Sequence, residues 1–235
     1  MGDHRARLVW TVNCRANGAS TEDARDQLEA AKSVLKLMER FQMAATWMLP
    51  DPVVQRPLCE RITSYQGQEI GLLGESLDSN DRDGFARELA RRVEPARNSG
   101  IPISTLSLSR LEGNLDLLVR HRISAVRVEQ AKSVKSCRRF GVWQIASSEV
   151  VPSRQGFWGA RASRAAIDQL IRDGQTALYV VDLAALGRGE QLKSLEAVCK
   201  HVARQGLKVC SFAELGRRLV STEVVRPARS ILKSA

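Results

Sequence analysis

Residues Arg7 to Asn17 read RLVWTVNCRAN, and this stretch decides the fold. Leu8, Val9, Trp10, Thr11 and Val12 form a short apolar and β-branched run, which Gly18, Ser20 and Thr21 break. That pattern predicts a buried strand that runs into a polar loop. Asn13 and Cys14 stand where the strand stops. In parallel α/β folds the chemistry gathers just past the carboxyl ends of the strands, which makes these two positions the first candidates for a site.

The chain beyond this strand alternates. Ser20 and Thr21, followed by Glu22 and Asp23, predict a capped helix start. Leu28, Ala31, Leu35, Met38 and Phe41 then recur at helical spacing. Met43 to Leu49 reads as a second strand, stopped by Pro50, and Pro52 and Pro57 mark a loop. Leu58 to Tyr65 predicts a short helix and Gln68 to Leu73 a third strand. Asp81 to Arg97 is an amphipathic helix with Phe85, Leu89 and Val93 on one stripe, closed by Gly100. Further strands are expected over Ile101 to Leu108, Ile123 to Val128, Val142 to Ile145, Thr176 to Leu183 and Leu207 to Phe212. Helices are expected over Asn114 to Arg122, Arg161 to Arg172, Glu190 to Gln205 and Ala213 to Leu219. Glu129 to Arg139 reads as an exposed basic loop. Residues 1–220 form one domain on this reading, and residues 221–235 a mobile basic tail.

Alternating strands and helices select a parallel α/β fold. So many strands in one domain favour a distorted (β/α) barrel of about seven strands over an open doubly wound sheet. No G-x-G-x-x-G follows a strand and no Walker loop is present, so nucleotide binding has no support.

Composition narrows the function classes. Of 235 residues, 43% are apolar and 26% charged, as in an ordinary soluble globular protein. No apolar run is long enough to cross a bilayer, and no signal-peptide pattern precedes the first strand, so a cytoplasmic location is expected. The cysteines at 14, 59, 137, 199 and 210 are odd in number and lack C-x-x-C spacing. That argues against a disulfide framework or a structural zinc site and fits a reducing compartment. The formal charge of +10 is one that attracts polyanions. Yet the densest basic groups, Arg87/Arg91/Arg92, Lys132/Lys135/Arg138/Arg139 and Arg217/Arg218, are not interleaved with aromatics. No nucleic-acid-binding signature accompanies them, and they read as solvated surface.

The order of segments resembles the polysaccharide deacetylases. The first strand, RLVWTVNC, resembles the family's strand ending in T-F-D-D-G. Val34 to Leu49, VLKLMERFQMAATWML, resembles the helix followed by A-T-F-F-V, with Ala45 and Thr46 in place. Gln68 to Ser76, QEIGLLGES, resembles E-I-G-N-H-[ST]-x-x-H, and GVWQIASSEVVPS resembles a later segment ending in proline. TALYVVDLAAL and QGLKVCSFAEL resemble the final strand and the closing strand with its F-V-T-L-x-E-L phrase. The resemblance spans roughly Leu8 to Leu219 and implies a distorted β/α barrel with metal-dependent N-deacetylation.

In that family one aspartate of the D-D pair is the general base. The other binds a metal together with the two histidines, and metal and base activate a water. Here the D-D positions read Asn13 and Cys14, and the histidine positions fall on Leu73 and Leu77. The late L-H motif falls on Val181 and Asp182, and the arginine-proline segment near Leu106 to Gly113, where Arg110 stands in. Asn13 cannot take a proton at neutral pH, leucine cannot bind a metal, and Cys14 alone falls short of a catalytic zinc's ligand set. The histidines of the chain, His4, His121 and His201, lie elsewhere, the last two on helices where they read as solvated. No metal and no cofactor is therefore expected.

The catalytic candidates are Asn13, Cys14, Glu75 and Asp182; the binding candidates are Asn13, Arg15, Arg110 and Trp158. Cys14 as a nucleophile needs a thiolate and a base, and no histidine is placed to supply one; a buried inert cysteine is the other reading. Asn13 holds a sugar hydroxyl or caps its loop. Glu75 and Asp182 face one barrel end, as an acid–base pair or as partners of Arg15 or Arg110. Trp10 and Trp47 read as core, and Trp158, in QGFWGAR, as a ring that stacks on a ligand. The expected function is that of a deacetylase-like protein related to carbohydrate metabolism. Its metal site is lost, and it is kept for a carbohydrate-like ligand or a protein partner, with no membrane role. Two rivals stand beside it: a C–N hydrolase with rebuilt chemistry on Glu75, Asp182 or Cys14, and a basic module for nucleic acid or another polyanion.

Overall fold

The computed structural model describes residues 6–15, 21–129, 137–139, 141–146, 149–150, 157–186 and 189–224. In chain order the elements are β1 (Arg7–Asn13), α1 (Thr21–Arg40), β2 (Ala45–Leu49), α2 (Arg56–Thr63), β3 (Gln68–Leu73), α3 (Arg82–Asn98), β4 (Thr105–Leu108), α4 (Leu115–Arg120) and β5 (Ala125–Val128). They continue with β6 (Cys137–Arg139), β7 (Val142–Ala146), β8 (Glu149–Val150), α5 (Phe157–Asp173), β9 (Thr176–Asp182), α6 (Leu183–Leu186), α7 (Gly189–Arg204), β10 (Lys208–Ser211) and α8 (Phe212–Val224).

The strands run in the order β6-β7-β5-β4-β3-β2-β1-β9-β8, with β10 added against β1. All pairs are parallel except β6 with β7. The seven strands from β7 to β9 make a curled half-barrel with helices outside, as the alternation predicts. Strand periodicity sorts the two faces. Leu8, Trp10, Val12 and Cys14 of the first segment join the core under the helices, together with Trp47, Leu72 and Leu106. Val9 joins Met48, Leu73, Ala125, Trp143, Leu178 and Val180 in a second cluster inside the curl, plugged by Phe212 and Leu215 of α8. Thr46 Oγ1 accepts the Phe212 amide at 2.8 Å and so seats the start of α8 against β2.

Several boundaries differ from expectation, each for a local reason. The fourth strand begins at Thr105 rather than Ile101, because Pro102 lacks an amide hydrogen and the Ile101 amide and Ile103 carbonyl bond to Ala96 and Arg97 of α3 instead of a neighbouring strand. Within the stretch read as a basic loop, Cys137–Arg139 pairs antiparallel with β7, turning through Gly141 at φ 84°; residues 130–136 and the predicted cap at Ser20 lie outside the described residues. Helix α5 begins at Phe157, so Trp158 stands on a helix rather than in a loop. Helix α8 runs to Val224, well into the stretch read as a tail, and residues 225–235 lie outside the described residues. His121 and His201 are not solvated helix residues. His121 is buried beside Glu94, and His201 Nε2 meets Asp168 Oδ1 at 2.7 Å, tying α7 to α5.

Candidate ligand site at the strand ends

Near the carboxyl ends of β1, β4, β5 and β9 the inward positions are polar, whereas β3 ends on the inward-facing Leu73. Asn13 closes β1 and lies in register with Asp182, which closes β9. Ser107 of β4 lies in register with Arg127 of β5. Arg127 is fully buried, and its guanidinium reaches across the interior of the curl to the far strand. Nη1 donates to Thr11 Oγ1 at 2.6 Å and Nη2 to Asn13 Oδ1 at 2.7 Å, while Nε donates to Ser107 Oγ at 3.0 Å. Glu129, just past β5, lies 3.4 Å from Nη2. A buried guanidinium persists only when its donors are met, and every one of these partners is an acceptor. Burial lowers the guanidinium from 12.5 to about 10, against the pull of Glu129, so it remains charged at neutral pH.

A second arginine lies nearer the surface. Arg15 Nη2 meets Glu75 Oε1 at 2.9 Å and its Nη1 meets Asp182 Oδ2 at 3.3 Å. Burial works to lower the Arg15 guanidinium; Asp182 and then Glu75 outweigh it and raise it above its ordinary value. Asp182 Oδ1 also accepts the Ala184 amide at 3.1 Å, fixing the carboxylate at the turn into α6. The loop that carries Glu75 is held from behind. Arg92 of α3 is buried rather than solvated; its Nη1 donates to Pro50 O at 3.3 Å, its Nη2 to Ser76 Oγ at 3.2 Å and to Glu88 Oε2 at 2.9 Å. The basic group Arg87/Arg91/Arg92 is therefore only partly a surface feature: its third member joins the loops after β2 and β3.

Four of the candidates thus come together: Asn13, Arg15, Glu75 and Asp182. Cys14 does not join them. Its side chain lies in the helix-side core with no exposure, and burial first, then Cys59 and Asp182, push its thiol far above the ordinary range. A thiol held protonated is no nucleophile. Leu73 faces the interior beside Met48, but Leu77 and Val181 belong to the helix-side core. Arg110 stands apart with Glu112 at 3.5 Å. The side chain of Trp158 lies outside the described residues, while Trp10 and Trp47 are fully buried, the latter donating to Gln68 Oε1 at 2.9 Å. Arg127 is the residue that sequence reading missed. Its signal was an arginine inside ISAVRV, at an inward position of an apolar strand, where no charge can sit without partners.

The fold's implied metal does not fit these residues. The positions that the resemblance maps to the base and the ligands carry an amide, a thiol in the core and two leucines, and the amide oxygen already accepts from a cation. Among the described residues, no three acidic, histidine or cysteine side chains are grouped to hold a metal ion. A separate cavity of about 560 Å³, lined by Met38, Glu39, Met43, Tyr65 and Gly67, opens near the starts of β2 and β3, away from this cluster.

No protein-family model matches the sequence, and no curated protein matches it. Solved structures do match. A Mycobacterium smegmatis protein named as a polysaccharide deacetylase superposes with a TM-score of 0.79 at 15% identity, covering 95% of this chain and 93% of its own. A Pseudomonas aeruginosa protein named likewise superposes at 0.73 and 12% identity, covering 92% and 91%. A CE4 family pseudoenzyme from Bacillus anthracis superposes at 0.52 and 16% identity, covering 90% of this chain and 66% of its own. Among the described residues, no helix is long and apolar enough to cross a membrane. The curled β/α half-barrel of this chain is the fold of the polysaccharide deacetylases.

Proposed function

We propose that this protein is a polysaccharide-deacetylase-like barrel that binds a carbohydrate-like ligand at its strand ends without the metal-dependent hydrolysis of that fold. The observation that carries the reading is the 2.7 Å hydrogen bond from Arg127 to Asn13. It means that the position the resemblance aligns with the D-D pair holds an amide whose oxygen is already taken up by a cation, so that it neither takes a proton nor offers that oxygen to a metal. The residues assigned to the ligand are Asn13, Arg15, Glu75 and Asp182. Amide, carboxylate and guanidinium groups together supply the donors and acceptors that ring hydroxyls require.

The rebuilt-hydrolase reading is disfavoured because Glu75 and Asp182 both hold Arg15, which leaves neither as a free base, and because Cys14 is sealed in the core. The experiment combines metal analysis of the purified protein, acetate release from N-acetylated glycans, and a crystal soak with chitooligosaccharides inspected at the strand ends. Absence of turnover with a sugar seated over Asn13 is the expected result. Stoichiometric zinc with turnover overturns the reading. Salt-dependent retention on heparin with no sugar bound supports the polyanion rival instead.

A further inference from the structure

The Arg127–Asn13 contact fixes more than the loss of a metal. A guanidinium has only donors, so the Asn13 atom facing it is the acceptor Oδ1. The other end of the amide, Nδ2, is thereby turned away from Arg127. Asn13 is only 2% exposed, yet its Nδ2 has no acceptor among the described residues and is not among the atoms sealed from the surface. It is a nearly buried amide donor left open to the cluster at the strand ends.

Among the described residues, the charges around it do not cancel. Glu75, Asp182 and Glu129 face Arg15 and Arg127, three carboxylates to two guanidiniums, in a chain whose formal charge is +10. The side chains of Glu75 and Glu129 are 34% and 33% exposed, so both remain within reach of a ligand. Arg15, seated between Glu75 and Asp182, already demonstrates that these two carboxylates hold a nitrogen cation. Among these five described groups one negative charge is left over, and one ammonium balances it.

Resting on the carbohydrate reading above, we infer that the mouth selects a sugar carrying a free, protonated amine. The ammonium joins Glu129 and Asp182 as a donor, and a neighbouring hydroxyl or ring oxygen accepts from Asn13 Nδ2. Arg127 acts as a positioning residue: it presents the Asn13 donor and never touches the ligand itself.

The test is calorimetric titration of the whole purified protein at pH 6 with three trisaccharides: the glucosamine trimer, its fully N-acetylated counterpart, and trigalacturonate. The glucosamine trimer is expected to bind at least about tenfold more tightly than the acidic trimer and several-fold more tightly than the acetylated one. Glu129→Gln, a partly exposed position that tolerates the change, removes the surplus charge and is expected to abolish the preference for the amine over the acetylated trimer. Asn13→Leu is expected to weaken both. The Asn13 side-chain amide resonance in the ¹H–¹⁵N spectrum is expected to move on titration, which a purely structural role for Asn13 does not produce. Tightest binding of the acidic trimer, or an amine preference unchanged in Glu129→Gln, overturns this inference and leaves the carbohydrate reading standing. Failure of all three sugars to bind, with no movement of the Asn13 resonance, overturns both.

Discussion

Arg127 on β5 donates a 2.7 Å hydrogen bond to Asn13 Oδ1 on β1, across three intervening strands of the curled sheet. The contact closes the interior of the half-barrel near its strand ends. It also gives Asn13, which the family resemblance aligns with the D-D pair, an internal cation as its partner.

Arg127→Met is expected to destabilise the protein by roughly 2–4 kcal/mol, because Thr11, Asn13 and Ser107 lose a charged donor in a dry interior. Combining it with Ser107→Ala is expected to recover about 1 kcal/mol, since the apolar pair leaves one fewer unmet hydroxyl. Urea unfolding of the three proteins measures this. A single variant as stable as the parent contradicts the accounting.

Gly71→Ala is expected to cost about 1–3 kcal/mol through overpacking. A β-carbon there stands 2.5 Å from Thr105 Oγ1 and 2.6 Å from Met48 Sδ, inside the curl where neither can retreat freely. A neutral change in thermal midpoint argues that the interior is looser than described.

Cys14 is expected to resist iodoacetamide in the native protein and to react only after unfolding, since it is fully buried and its thiol is held protonated. Peptide mass mapping before and after denaturation reads this directly. Rapid native labelling of Cys14 moves it back among the catalytic candidates.

Acid sensitivity is expected at Glu88. Its bonds to Arg91 and then Arg92 hold the carboxyl down, from 4.5 to about 2. The folded state then binds fewer protons than the unfolded one, so the stabilisation is complete above pH 4.5 and disappears as pH falls towards 2. Glu88 is partly exposed, which keeps the effect small. Stability of the wild type is expected to fall more steeply than that of Glu88→Gln over this window, and parallel curves refute the assignment.

Exhaustive dialysis against a chelator is expected to shift the thermal midpoint by less than about 1 °C, because no ion that binds only the folded state is lost. A large fall restored by zinc contradicts the donor set at the strand ends.

The sequence by itself determined the order of elements and the kind of fold. The apolar runs from Leu8 to Val12, Ala45 to Leu49 and Thr176 to Val181 are continuous because both faces of a parallel strand are covered, and that signal is local. It also determined that Asn13, Leu73 and Leu77 lack the chemistry of a base and a pair of metal ligands, since side-chain type alone decides that. Strand β6 and the end of helix α8 are less legible, because the basic stretch before Val142 and the stretch beyond Leu219 carry no clear periodicity.

Only the tertiary structure decided which candidates share a site. Asn13 and Cys14 are neighbours in the chain and land on opposite faces, because successive side chains of a strand alternate. Asn13 and Arg127 are far apart in the chain and meet, because the sheet curls until β5 faces β1. An arginine in ISAVRV has no visible reason to be there until its partners arrive from two other strands. Burial of a charge is a property of the assembled interior, and no window of sequence contains it.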